Sequence, residues 1–387
     1  MKKILLVLLF LARLWLAVHA KHGDMYNNLD WGQGAATHPL AEFYELPKEA
    51  WPHSRPNQPP GSIFLHLASY QLNSSTYQVI NFLNAKLPIF PSKLVWWWEL
   101  HGELVTIKLP SIIADFLLAF VIFKFTRRPL ISIFYLLTPA LWYNSSFWGQ
   151  TDSVVAALAL TSLYFLRQKR LALSPLFFGL SLITKASWAP ILPLYLLYFL
   201  KNHYRKFHLL SLLVIAPLIV SWPFHPQLDL PVWLANLYLT RLLPGESGFI
   251  TVNAFNLWHL FFAPRAVSFV AANIGSVLVG LVLCIALYRT WKKNTFPVFL
   301  HSCLLVLFGT FLFASRMHER YLYPVFPLLI ISQRYLTYAV LSVTYFLNLY
   351  SDWWNPTLTW LISLYTPTFT KIISIVNLSA FAYEAKR

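Results

Sequence analysis

The chain has 387 residues, of which 57% are hydrophobic and 11% charged, with a mean hydropathy of +0.55. A soluble domain carries about 25% charged residues, so this composition excludes a polar-coated globule and describes an integral membrane protein. The two cysteines, Cys284 and Cys303, sit in apolar runs, which excludes a disulfide scaffold and a cysteine metal site. A net charge of +16 would suggest nucleic acid in a soluble protein. Here it reads as the Lys and Arg excess that holds loops on the cytoplasmic side, and no nucleic-acid partner is expected.

A crossing helix needs about 20 mainly apolar residues. In chain order such stretches fall near 4–20, 104–125, 129–147, 151–166, 171–184, 187–200, 207–222, 267–289, 296–314, 321–333, 335–350 and 358–383. The expected fold is therefore an all-α polytopic bundle of about 12 transmembrane helices. Residues 1–350 form one catalytic domain and 351–387 a C-terminal span. Lys2 and Lys3 before the first apolar run resemble a signal peptide, but the further spans favour a retained anchor. With the amino terminus inside, most of the 30 basic residues fall in short inner connections. All but two of the 14 acids, Asp115 and Glu384, fall in outer segments or at the outer end of a span. The alternation supports the span assignment and places the chemistry on the outer face.

Two outer segments are long. In 21–103, the stretch Asp24–Ala36 and the stretch Ser62–Leu72 after Pro59-Pro60 read as helices lying on the membrane. The second, 223–266, carries Arg241-Leu-Leu-Pro244 and then Asn253-Ala-Phe-Asn256-Leu-Trp258.

Several residues have the chemistry of a site. Asp24, directly after the first span, is either a solvated loop carboxylate or a base able to take a proton from an attacking hydroxyl. Asp30 is its local competitor. Trp148-Gly-Gln150-Thr-Asp152 either caps the next helix or binds sugar hydroxyls. Lys185 either meets an anionic headgroup or snorkels. Lys108 and Asp115 lie within a span, where a charge costs at least ~2.5–3.5 kcal/mol and faces a cavity or a partner. Lys108, near the outer end, is read as pointing into the surface cavity, and Asp115 as having a structural partner. The densest cluster is Arg316-Met-His318-Glu319-Arg320. Two guanidiniums and an imidazole there suit a pocket that takes a phosphate. No Gly-rich phosphate loop or nucleotide fold is present, so a sugar donor would enter from the membrane as a lipid.

These blocks resemble the GT-C superfamily of polyprenyl-phosphate-sugar glycosyltransferases. The likeness looks closest to the glucosyltransferases that extend the lipid-linked N-glycan precursor, and to their prokaryotic relatives. Gly23-Asp24 with the helix to Trp31 resembles the family's loop with its catalytic Asp, and Gln58-Pro-Pro60 its Tyr-Pro-Pro segment. Lys108 with Asp115 resembles an Arg and Asp of the second span. Arg241–Pro244 followed by Asn253–Trp258 resembles an outer loop, and His318-Glu319-Arg320 a His-Glu-Lys signature. Arg320, Lys108 and Gln58 depart from the family's residue types, and Trp148 to Ser153 is more typical of prokaryotic members.

The resemblance implies an inverting hexosyltransferase. Asp24 would be the base, and Arg316, His318, Arg320 and Lys108 would hold the donor phosphate. Asp30, Trp148, Gln150, Asp152, Asn253 and Asn256 would bind acceptor or sugar. The donor would be a polyprenyl-phosphate monosaccharide and the acceptor a glycan, glycolipid or protein. No cofactor is expected, although a divalent ion at Asp24 and Asp30 stays open. The expected setting is a prokaryotic plasma membrane with the site outside. A flippase or transporter of lipid-linked saccharides is the alternative, weakened by the scarcity of ionisable groups at mid-membrane.

Overall fold

The computed structural model describes residues 2–242 and 248–387. Its helices, in chain order, begin with α1 (Lys2–Ala17), α2 (Gly23–Thr37), α3 (Pro60–Lys86), α4 (Lys93–Thr126), α5 (Pro129–Leu137) and α6 (Pro139–Trp142). A π-helical turn, Tyr143–Trp148, leads to α7 (Asp152–Arg167), α8 (Leu173–Thr184), α9 (Leu192–His203), α10 (Leu212–Ser221) and α11 (Leu230–Leu237). Then come α12 (Phe269–Lys292), α13 (Phe296–Phe313), α14 (Val325–Ile331), α15 (Tyr335–Trp353), α16 (Thr359–Ile362) and α17 (Pro367–Ala385). Prolines at the first turns of α3, α5 and α6 start those helices, because the missing N–H has no intrahelical partner there anyway. The one isolated β-bridge found among the described residues joins Thr251 to Met317 in parallel.

Each expected span overlaps helical backbone. Among the described residues, four helical runs are long and apolar enough to cross a membrane: Lys93–Thr126, Ala186–Phe224, Phe269–Lys292 and Phe296–Phe313. The chain is thus an all-helical integral membrane protein. The runs Ile4–Ala17 and Leu173–Thr184 are apolar but shorter.

The first outer segment is more helical than expected. α3 continues past Leu72 to Lys86, and α4 begins at Lys93, well before the apolar stretch at 104. Hydropathy misses both extensions because Asn73-Ser-Ser-Thr and Glu99 to Glu103 are polar. Yet α3 packs along α2 on one side and α4 on the other, so only part of its surface needs to be apolar. α2 and α3 touch at Gly32, where an added Cβ would lie 2.5 Å from the His66 carbonyl oxygen. An aromatic cluster of Trp31, Phe43, Tyr44, Trp51 and Phe224 fixes this roof on the bundle.

The main core is formed by α4, α7, α8, α9, α13, α14 and α15 around Trp148, Trp188, Tyr195, Phe308 and Tyr345. Inside it, Asp115 of α4 is fully buried and paired with Arg13 of α1, and its Oδ1 accepts from Tyr323 at 2.9 Å. Arg13 also donates to the Leu136 carbonyl at 2.9 Å. The partner that a charge in hydrocarbon requires is therefore Arg13, a residue that hydropathy absorbs into the first apolar run.

Candidate active site

A chamber of about 580 Å³ lies under α2, between the 57–59 segment, Gln150, Lys185, the turn at Tyr238–Leu242, the C-terminal half of α13 and the 315–321 stretch. α2 presents Asp24, Asn27, Asn28 and Trp31 to it. Spaced i, i+3, i+4 and i+7, these share one helix face. The helix starts where it does because His22 is its N-cap: the imidazole Nδ1 accepts the Asp24 backbone N–H at 3.0 Å. The Gln58-Pro-Pro60 segment is tied to the same helix. The Gln58 side-chain amide donates to Asn28 at 3.3 Å, and the Gln58 backbone carbonyl accepts from the Tyr44 hydroxyl at 2.7 Å.

Asp24 is the chamber's carboxylate. Its Oδ2 accepts from the Gln150 amide at 2.7 Å and lies 3.7 Å from the Arg320 guanidinium. Burial pushes its pKa up, but the Arg320 charge and the Gln150 hydrogen bond help to outweigh that and hold it below the usual carboxylate range. Asp24 is therefore ionised and able to accept a proton.

The opposite wall is the 315–321 stretch, which is fastened to the second long segment. The Arg316 N–H donates to the carbonyls of Phe249 and Ile250 at 3.1 and 3.0 Å, and the Val252 N–H to Met317 at 3.1 Å. These bonds hold Arg316 at φ 61°, a left-handed conformation that a residue with a Cβ rarely adopts. Arg316, His318 and Arg320 all line the chamber. Arg320 donates to Glu319 Oε1 at 2.7 Å and lies over the Trp148 ring at 5.8 Å. Glu319 is buried, and burial raises its pKa against the pull of Arg320. Burial first, then the Arg320 charge, lower the pKa of His318 to about 3. His318 is thus a neutral hydrogen-bonding group rather than a third cation.

Asp24, Gln150, Arg316, His318 and Arg320 are brought together around the chamber. Lys108 is not. It is fully buried, and its Nζ donates to the carbonyls of Ala17 and Ala20 at 2.8 and 2.6 Å. It caps the C-terminal end of α1, where unpaired carbonyls attract a cation. The cation that does reach the chamber is Lys185, held by Asp152 at 2.6 Å.

Asp152 is itself buried behind the wall, where it binds Lys185 and accepts from Asn144 at 3.4 Å. Trp148 is fully buried and packs at a tilt against His22 with ring centroids 4.2 Å apart, so it supports the site without lining it. Asp30 is bound to His53 at 2.7 Å. It does not face Asp24, because six residues along a helix point away from each other. Asn253 is bonded to Asp352, and Asn256 caps the turn at Trp258, accepting its N–H at 3.1 Å. Arg241 donates to the Tyr44 carbonyl at 2.7 Å, while Pro244 lies outside the described residues.

The sequence reading passed over Asn27, Asn28 and Gln58 as chamber residues. The helical spacing from Asp24 could have found the first two. Among the described residues no group of three or more His, Cys, Asp or Glu side chains converges as a metal site.

No family model matches the chain. It is 25% identical over 243 residues to GPI mannosyltransferase 1 of Kluyveromyces lactis, across 59% of this chain and 56% of that protein. The likeness is to a glycosyltransferase. The chain spans little more than half of that relative's length. By its name the relative handles mannose, where the sequence resemblance leaned towards glucosyltransferases.

Proposed function

We propose that the chain is an inverting glycosyltransferase that moves a hexose from a polyprenyl-phosphate donor to an acceptor hydroxyl. One observation carries the reading. An ionised carboxylate, Asp24, faces fixed phosphate donors, Arg316, His318 and Arg320, across one chamber that also admits Lys185. The donor phosphate sits against those groups. An acceptor hydroxyl bound near Asn27, Asn28 and Gln150 gives its proton to Asp24 as its oxygen bonds to the anomeric carbon. The carbon–oxygen bond to phosphate breaks in the same displacement, so the configuration inverts. The departing phosphate gains negative charge, and each pre-placed donor contributes about 3–4 kcal/mol to stabilising it. Because Asp24 is a weak base, its proton transfer lags behind bond formation to the sugar, which acidifies the hydroxyl.

Mannose is the proposed hexose, supported by the name of the relative. A glycan, glycolipid or protein is the proposed acceptor. The outer face is supported by the crowding of acids into outer segments and of bases into inner ones. The twelve-span arrangement is part of this reading, as is a prokaryotic plasma membrane, supported by the Trp148–Ser153 block. The chemistry is proposed to run without a metal, since protein cations can stabilise the leaving phosphate.

The test is sugar transfer by the purified protein in detergent from polyprenyl-phosphate mannose. Asp24→Asn is expected to lower turnover by roughly 100- to 10,000-fold. Full turnover in Asp24→Asn removes the base assignment. A flippase would transfer nothing in detergent, where there is no second compartment.

A further inference from the structure

We propose that His22 and Asp352 form a positioning pair that aims the Asp24 carboxylate into the chamber. This rests on the glycosyltransferase reading and adds to it two residues that neither the motifs nor the likeness assigns a role. Asp352 comes from the end of α15, past the expected catalytic domain.

His22 is held on three sides. Its ring lies 4.2 Å from that of Trp148, and Trp353 meets it edge-on at 4.8 Å. Its Nδ1 accepts the Asp24 backbone N–H at 3.0 Å, and its Nε2 lies 3.8 Å from Asp352 Oδ2. A ring nitrogen that accepts an N–H carries no proton, so the cap requires the neutral tautomer with hydrogen on Nε2. The Asp24 N–H and the Asp352 carboxylate facing Nε2 both favour this tautomer, and Asp352 offsets the Asp24 carboxylate, whose Oδ2 lies 3.8 Å from Nδ1. The distance is longer than a direct hydrogen bond but well within electrostatic reach. Were the hydrogen on Nδ1, that atom would repel the Asp24 N–H, the first turn of α2 would open, and the carboxylate would leave its 2.7 Å bond to Gln150. Asp352 is fixed in turn by Asn253, whose amide donates to its Oδ1. The second long segment therefore reaches the base through Asp352 and His22 as well as through the 315–321 stretch.

The pair touches no substrate, so its signature lies in kcat and in the coupling of its two members. Asp352→Asn keeps the shape and the acceptor for Asn253, but it can turn an N–H donor towards Nε2 and thereby favour the wrong tautomer. His22→Asn keeps a good N-cap without a tautomer to choose. Turnover and donor KM are measured in the detergent assay for His22→Ala, His22→Asn, Asp352→Asn and the double variant. His22→Ala and Asp352→Asn are expected to lower kcat about 10- to 100-fold with donor KM within about three-fold of wild type. His22→Asn recovers most of the loss seen in His22→Ala, and in the His22→Asn background Asp352→Asn changes kcat by less than about three-fold. An equal loss from Asp352→Asn in both backgrounds overturns the pairing, as does a His22→Asn variant no better than His22→Ala. The second comparison decides the matter if Asp352→Asn does not fold. If Asp24→Asn is inactive and the coupling is absent, only this inference falls; an active Asp24→Asn overturns the underlying reading instead.

Discussion

Replacing Arg320 by Gln separates its two proposed jobs, holding the donor phosphate and keeping Asp24 ionised. The guanidinium lies 3.7 Å from the Asp24 carboxylate. At that separation two unit charges attract by about 4 kcal/mol at an effective dielectric of 20 and about 1 kcal/mol in water. The Asp24 side chain is 37% exposed, so solvent screens it and the lower figure applies. Asp24 is held low in the native chamber and works as the anion, so the rate falls as pH drops through its pKa. Removing the Arg320 charge raises that pKa and moves the acidic limb of the kcat profile to higher pH. Losing a donor to the leaving phosphate lowers kcat by about 100- to 1,000-fold at every pH. Arg320→Lys keeps the charge, so its acidic limb stays in place, while the lost fork geometry lowers kcat less. The assay is sugar transfer followed from acid to neutral pH for the three proteins. An Arg320→Gln enzyme with an unmoved acidic limb and near-native kcat would refute both assignments.

Lys108→Met leaves two buried carbonyls at the end of α1 without their donor, each costing about 1–3 kcal/mol. The detergent melting temperature is expected to fall while the donor KM of the folded fraction stays unchanged; a raised KM alone would return Lys108 to the phosphate. Gly149→Ala places a Cβ at φ +92°, 3.2 Å from Lys108 and 3.4 Å from Met25. Strain of about 1–3 kcal/mol should lower the melting temperature and, by shifting Gln150 away from Asp24, kcat as well. Chelation with EDTA is expected to leave turnover unchanged; loss of activity restored by one divalent ion would overturn the metal-free reaction.

Much of the site was legible because its residues carry their chemistry in short blocks. Asp24 follows an apolar span, and Arg316, His318 and Arg320 lie within five residues where charge is unwelcome to lipid. What the blocks cannot show is which side chain points where. Lys108 and Arg13 look alike to hydropathy, as basic residues in apolar runs, yet one caps α1 and the other neutralises Asp115. Asn253 and Asn256 have the amides of a sugar site, but a buried amide is just as useful to a backbone N–H, and Asn256 serves Trp258.

The amino-acid sequence by itself determined the class of protein and the helical stretches, and its charge pattern carries the proposal for which side holds the charged chemistry. Those follow from hydropathy and charge bias, which are properties of single segments. Only the tertiary structure decided that α3 runs to Lys86, that Lys185 rather than Lys108 reaches the chamber, and that Asp352 stands behind His22. Each of these depends on two segments far apart in the chain meeting at a few ångströms, and neither segment alone carries a record of its partner.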